Sequence, residues 1–154
     1  MRANMKDQTE DNHPSERCEP IVFVIDDDEM SRAAVARLME TVGISVAAFA
    51  AAERCWRPDV VNRPACIVLD VHLDRVGGLV VQERLRNEGF QLPVVFMATH
   101  SDIETAVKAM KRGAVDFLIK PFREQELLDA ITRAIEIDRK RISRDLYYDR
   151  VTRC

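Results

Sequence analysis

The most restrictive stretch of this chain is Cys66 to Leu73, CIVLDVHL. Ile67, Val68 and Leu69 form a short apolar run, and a run apolar at every position belongs to a strand covered on both faces. Asp70 stands where that strand should end. A carboxylate at the edge of an apolar core is costly unless a cation or hydrogen bonds meet it, so other parts of the chain must supply partners. Two further apolar runs end on charge. Ile21 to Ile25 is followed by Asp26, Asp27 and Asp28, and Val115 to Ile119 by Lys120 and Pro121. Two acidic strand ends and one basic strand end are suited to a single crevice.

Helical spacing fills the intervals. Val35, Leu38, Met39 and Val42 make one apolar face over Glu29 to Val42, and Gly43 stands where a left-handed C-cap is wanted. Ile44 to Ala48 predicts a second strand. Ala51 to Arg57 predicts a short helix, stopped by Pro58, with Trp56 as a packing residue. The strand carrying Asp70 is third, and Gly77-Gly78 punctuates the loop after it. Leu79 to Asn87 predicts a helix ending near Gly89, and Val94 to Met97 a fourth strand. Asp102 to Arg112 predicts a helix with Asp102 as its cap and Gly113 as its stop. Val115 to Ile119 is the fifth strand, and a last helix begins near Arg123. Strands alternating with helices give βαβ units and a parallel sheet. The expected fold is α/β, a flavodoxin-like doubly wound five-stranded sheet, (βα)5, with strand order 2-1-3-4-5. Its ligand crevice lies outside the carboxyl ends of the strands, where Asp26, Asp27, Asp70 and Lys120 fall.

A length of 154 residues predicts one domain. Residues 1–20 read as a disordered polar tail, with His13 solvated, and residues 21–139 as the folded domain. Residues 140–154 read as a helical linker or the start of a missing output domain. Ile142 and Leu146 prolong the apolar spacing of the last helix, but Asp138 and Asp145 interrupt it, which leaves a signalling coiled coil and a fraying helix both open. Arg139, Lys140, Arg141, Arg144, Arg150 and Arg153 read as a solvated basic stretch. A net charge of −3 offers no general footprint for nucleic acid. Nothing approaches the roughly 20 apolar residues of a membrane span, and the N-terminus lacks a secretory signal, so a cytoplasmic protein is expected. Cys18, Cys55, Cys66 and Cys154 show no metal or disulfide spacing, and Cys66 reads as a small core residue.

Three carboxylates in one crevice repel until a proton or a divalent cation relieves them. Mg2+ (or Mn2+) suits oxygen ligands and keeps waters for a phosphate. An aspartate can itself be the nucleophile that accepts a phosphoryl group, and Lys120 is a compact cation for its oxygens. Asp27, Asp28 or Lys120 taken singly reads as well as a solvated surface group, since Asp favours a first helical turn. The weight rests on their joint placement.

These segments resemble a known family. VFVIDDDEMSR at 22–32, CIVLDVHLDRVGGL at 66–79 and LPVVFMATHSDIETAVKAMKRGAVDFLIKPF at 92–122 are similar to the receiver domain of two-component response regulators, of the FixJ type with LuxR-type output. The resemblance implies Asp70 as phosphoacceptor, with Asp26, Asp27 and the backbone carbonyl of His72 joining it as Mg2+ ligands. It implies Lys120 as the conserved-type lysine, a cis bond before Pro121, and Phe117 as the aromatic that changes rotamer on activation. It implies a CheY-like switch that catalyses its own phosphorylation and dephosphorylation, fed by a sensor histidine kinase. The usual dimer face is the helix at 102–112, the strand at 115–119 and the last helix. It carries Asp102, Glu104, Lys108, Lys111, Arg112, Asp116, Arg123 and Glu124, a mixed-sign set suited to pairing across a two-fold axis. DNA would be reached only through an output domain that this chain lacks, so a truncated receiver and a stand-alone one are both expected forms.

Two departures from the family pattern stand out. The family has a Ser or Thr at the end of the fourth strand. Here counting back from Lys120 puts Ala98 there, with Thr99 one residue on. The loop after Asp70 has Leu73-Asp74 in place of Met-Pro. These departures motivate a second reading, a receiver used as a phosphate-independent interaction module. A third, a metal-dependent phosphatase, rests on Asp26-x-Asp28, which resembles the haloacid-dehalogenase motif except for Met30.

Overall fold

A computed structural model describes residues 19–51, 63–73 and 77–152; of His100 and residues 146–152 only the backbone is described. The N-terminal tail to residue 18, the predicted helix carrying Trp56, the loop residue Asp74, and Cys18, Cys55 and Cys154 lie outside the described residues.

Five strands make one parallel sheet: β1 (Ile21–Ile25), β2 (Ser45–Phe49), β3 (Ala65–Asp70), β4 (Val94–Ala98) and β5 (Asp116–Ile119). Their order is β2-β1-β3-β4-β5, as the sequence predicts. The helices are α1 (Glu29–Thr41), α2 (Gly78–Asn87), α3 (Ile103–Lys111) and α4 (Glu124–Thr152), with a 3₁₀ turn at His100–Asp102 before α3. Central β3 is buried along its whole length. It pairs with β1 through Val24↔Val68 and Ile25↔Leu69, and with β4 through Leu69↔Phe96 and Asp70↔Met97.

Alternation along the strands sorts the core into two layers. Phe23, Ile25, Ile67, Leu69 and Phe96 face Val81 and Leu85 of α2 and Ala109 of α3. Val22, Val24, Val68, Val95 and Met97 face Val35 and Met39 of α1 and Leu127, Ile131 and Ala134 of α4. Strands apolar at every position are what such a two-sided sheet requires. Cys66 is fully buried, and that burial pushes its thiol far above the ordinary range, so it is an inert core residue.

One close approach fixes the geometry beyond β3. A Cβ on Gly78 would stand 2.7 Å from the Asp70 carbonyl oxygen and 2.9 Å from Val71 Cα. With glycine there, the Gly78 N–H donates to the Val71 oxygen at 2.8 Å, and α2 starts against the strand end.

Two expectations need correcting. Asp138 does not break the apolar face of the last helix: it is fully buried, its Oδ2 accepts from Ala65 N–H at 2.8 Å, and its Oδ1 pairs with Arg141 Nε at 2.7 Å. Asp145 takes Arg141's other arm at 3.0 Å. The helix runs without interruption through residues 139 and 140 to Thr152. Asp102 is not a simple side-chain cap on α3; Thr99 and Asp102 form a reciprocal capping box on the preceding 3₁₀ turn. Among the described residues, no helix is long and apolar enough to cross a membrane.

Candidate functional site

The strand ends converge as their charges suggest. β1 delivers Asp26 and β3 delivers Asp70 to neighbouring positions, while β5 carries Lys120 across. Lys120 N–H donates to the Ala98 oxygen at 2.7 Å, fixing its backbone at the end of β4. Its ammonium lies 3.1 Å from Asp26 Oδ2 and 3.2 Å from Asp70 Oδ2. Asp27 completes the group, each of the three aspartates offering a carboxylate oxygen within 4.8 Å of the others. Asp26 and Asp70 are buried, and Asp27 is exposed. The Lys120–Pro121 peptide bond is cis.

Each member is held by its own loop. Asp26 Oδ1 accepts from Asp28 N–H at 2.9 Å. Asp70 Oδ1 accepts from His72 N–H at 2.9 Å. Asp28 is the N-cap of α1, accepting from Met30 N–H at 3.2 Å and Ser31 Oγ at 2.9 Å. The Ser31 bond and then the Met30 bond hold its carboxyl below the usual aspartate range. Ser31 Oγ also lies 3.4 Å from Lys120 Nζ. Sequence reasoning missed this contact, although a hydroxyl three residues after an N-cap aspartate is a readable signal.

Burial pushes the Asp70 carboxyl above its ordinary value. The His72 N–H opposes that, the adjacent Asp26 adds to it, and Lys120 partly offsets it. Burial alone would pull the Lys120 ammonium down. Its hydrogen bond to Asp26 and the charges of Asp70 and Asp26 outweigh burial and hold it above its usual range. One half-buried ammonium therefore faces three carboxylates. Hard carboxylate oxygens with an excess negative charge fit a divalent ion of the Mg2+ kind.

The residues one step further out do not all behave as expected. Ala98 is buried at the end of β4 and brings no hydroxyl. The Thr99 hydroxyl is engaged elsewhere, donating to Asp102 Oδ2 at 2.7 Å and lying 2.8 Å from Ser101 Oγ. Phe117 is half-buried against the core layer of β3 and β4. Asp102, expected on a charged dimer face, is buried and also pairs with His72 Nε2. Burial would raise its carboxyl, but the Thr99 hydroxyl and amide, followed by His72, hold it below the usual range. Asp116 is engaged by Arg133 within the chain at 2.5 Å. Glu104, Lys108, Lys111 and Arg112 are exposed as expected, and Ile103, Val107 and Met110 of α3 are exposed beside them.

Residues 22–132 match the response regulator receiver domain. The chain belongs to that family. Nodulation protein W of Bradyrhizobium diazoefficiens is 43% identical over 129 residues, a match covering 84% of this chain and 57% of that protein. The chain thus spans little more than half the length of this relative. The solved structure of the response regulator StyR superposes with a TM-score of 0.80 at 35% identity, covering 88% of this chain and 69% of that one. Full-length FixJ from B. japonicum gives 0.70 at 32% identity, covering 79% and 60%. The homologues are two-component transcriptional regulators, and the fold is the CheY-like receiver fold. Receiver domains bind Mg2+ at an acidic pocket, and Asp26, Asp27 and Asp70 form such a group here.

Proposed function

We propose that this receiver is the phosphoacceptor switch of a cytoplasmic two-component system, with Asp70 taking its phosphoryl group from a sensor histidine kinase. The observation that carries the reading is Lys120 bonded at once to Asp26 and Asp70, with Asp27 completing the acidic group. An Asp70 carboxylate oxygen forms a bond to phosphorus as the bond from phosphorus to the kinase imidazole nitrogen breaks. The imidazole leaves with that electron pair and takes a proton from solvent. The product is an acyl phosphate, which water later cleaves to carboxylate and inorganic phosphate. Lys120 steadies the transferred oxygens. Asp26, Asp27, Asp70 and the His72 carbonyl would hold Mg2+, which when bound supplies charge neutralisation for the phosphoryl group.

Burial supports the nucleophile assignment, because Asp70 is aimed into the crevice while its charge is only partly compensated. The domain at 21–139 then passes its state to α3, β5 and α4, where the exposed Ile103, Val107 and Met110 of α3 suit a homodimer, and on through residues 140–154 to an output domain that reaches DNA. To test the chemistry, the chain is incubated with Mg2+ and a phosphohistidine donor. Acid-labile label on the wild type and none on Asp70→Asn is the expected result; equal labelling of both refutes it.

A second reading is favoured by Ala98 and by the engagement of the Thr99 hydroxyl with Asp102. In it, the receiver works as an interaction module whose contacts ignore phosphate. Equal dimerisation with and without beryllofluoride supports that reading, and beryllofluoride-dependent dimerisation supports the first.

A further inference from the structure

The acidic site is linked to the start of α3 through a residue with no part in phosphoryl transfer as described above. Asp102 is buried, with a relative exposure of 7%. Its Oδ2 accepts from the Thr99 amide at 3.1 Å and the Thr99 hydroxyl at 2.7 Å. Its Oδ1 pairs with Nε2 of His72, whose side chain is otherwise 70% exposed. The same His72 donates its backbone N–H to Asp70 Oδ1. The loop is tied at both ends by Val71 N–H to the Met97 oxygen at 2.9 Å and Gly78 N–H to the Val71 oxygen at 2.8 Å. Between those ties, His72 is gripped by its amide from inside and by its ring from across the crevice.

We infer that Asp102 is a positioning residue for the metal site. By holding the His72 ring, it fixes the peptide whose carbonyl oxygen completes the protein's set of Mg2+ ligands. This rests on the reading of the site given under Proposed function. A partner that orients a ligand from outside the coordination sphere sets affinity as the ligands themselves do. An imidazole free in solvent would leave that peptide to sample other orientations, at an entropic cost when the ion binds. Since the same carboxylate closes the capping box before α3, an ion held at Asp70 and the entry into α3 are coupled, and the coupling acts equally in both directions. Ala98 brings no hydroxyl to the end of β4, so the His72–Asp102 pair gives this chain a connection by another route.

The test is titration of the phosphate-free full chain with Mg2+ alone, followed by calorimetry and by the amide resonances of residues 100–111. Urea unfolding of each variant is run in parallel. His72→Ala should weaken Mg2+ binding about tenfold and uncouple the α3 amides from the ion, while its unfolding stays close to wild type. His72→Gln, which keeps a side-chain donor for Asp102, should restore most of the affinity. Asp102→Asn should weaken binding as His72→Ala does, and the double variant should be no worse for Mg2+ than either single one. A cap with only a structural role would lower stability and leave the Mg2+ affinity of His72→Ala untouched, and that result overturns the inference. If Asp102→Asn fails to fold, the His72 pair of variants decides alone. Wild type that binds no Mg2+ removes the reading of the site and this inference with it; wild type that binds while His72→Ala binds equally removes only the inference.

Discussion

Strand β3 has a buried carboxylate at each end, and the two could hardly be treated more differently. At its start, Asp138 is saturated: one oxygen takes the Ala65 N–H, the other takes Arg141, and Arg141 is braced by Asp145. At its finish, Asp70 shares a single ammonium with Asp26 and has Asp27 alongside. Both sites lie against the same core. A carboxylate with all its bonds made is structural, because any change leaves a partner stranded. A carboxylate whose burial is only partly compensated is reactive, because a cation or a phosphoryl group improves its surroundings.

Four measurements break or sharpen that contrast. The largest effect is on chemistry: Asp70→Asn abolishes acid-labile phosphate, while Asp138→Asn retains the wild-type yield once folded protein is matched. Next comes stability. Asp138→Ala strands Arg141 and the Ala65 N–H, and urea unfolding should show a loss of about 3–5 kcal/mol.

Asp70→Asn should act the other way. The folded-state pKa of Asp70 is raised by burial. Its stabilising contribution is therefore present below the unfolded value, about 3.9, and is lost as pH rises through the folded value. At pH 7 the ionised group costs stability, so Asp70→Asn should unfold at higher urea and higher temperature than wild type. That gap should close as pH falls towards 4, and on adding Mg2+ to the wild type. A variant less stable than wild type at pH 7 contradicts the contrast between the two ends. The smallest effect belongs to Thr99→Ala, which loses about 1 kcal/mol with its cap bonds. The lifetime of the acyl phosphate should not change, because that hydroxyl faces Asp102.

The sheet and the charged strand ends of the site were legible because both are written locally. A strand buried on both sides must be apolar at every position, and Ile67-Val68-Leu69 is; the charge that follows such a run has nowhere to lie but the crevice. Asp26, Asp70 and Lys120 could therefore be brought together from their strand ends alone. Asp138 could not be read this way. Its partner Ala65 is 73 residues away, and on a helical repeat a buried aspartate looks like an interruption. Asp102 was half legible: Thr99-His-Ser-Asp102 fits the spacing of a capping box, but its second partner, His72, comes from a different loop. Thr99 carries a hydroxyl one residue beyond Ala98, and only the fold shows that hydroxyl turned towards Asp102.

On the proposed reading, the acidic group and Lys120 make Asp70 the acceptor of a phosphoryl group. Peptide-resolved mass spectrometry of the full chain after acetyl phosphate treatment, with and without Mg2+, tests it most directly. A single phosphoryl group, on the peptide containing Asp70 and formed only with Mg2+, is the expected result. Phosphate on a different peptide, or equal modification of Asp70 in the presence of a chelator, would contradict it.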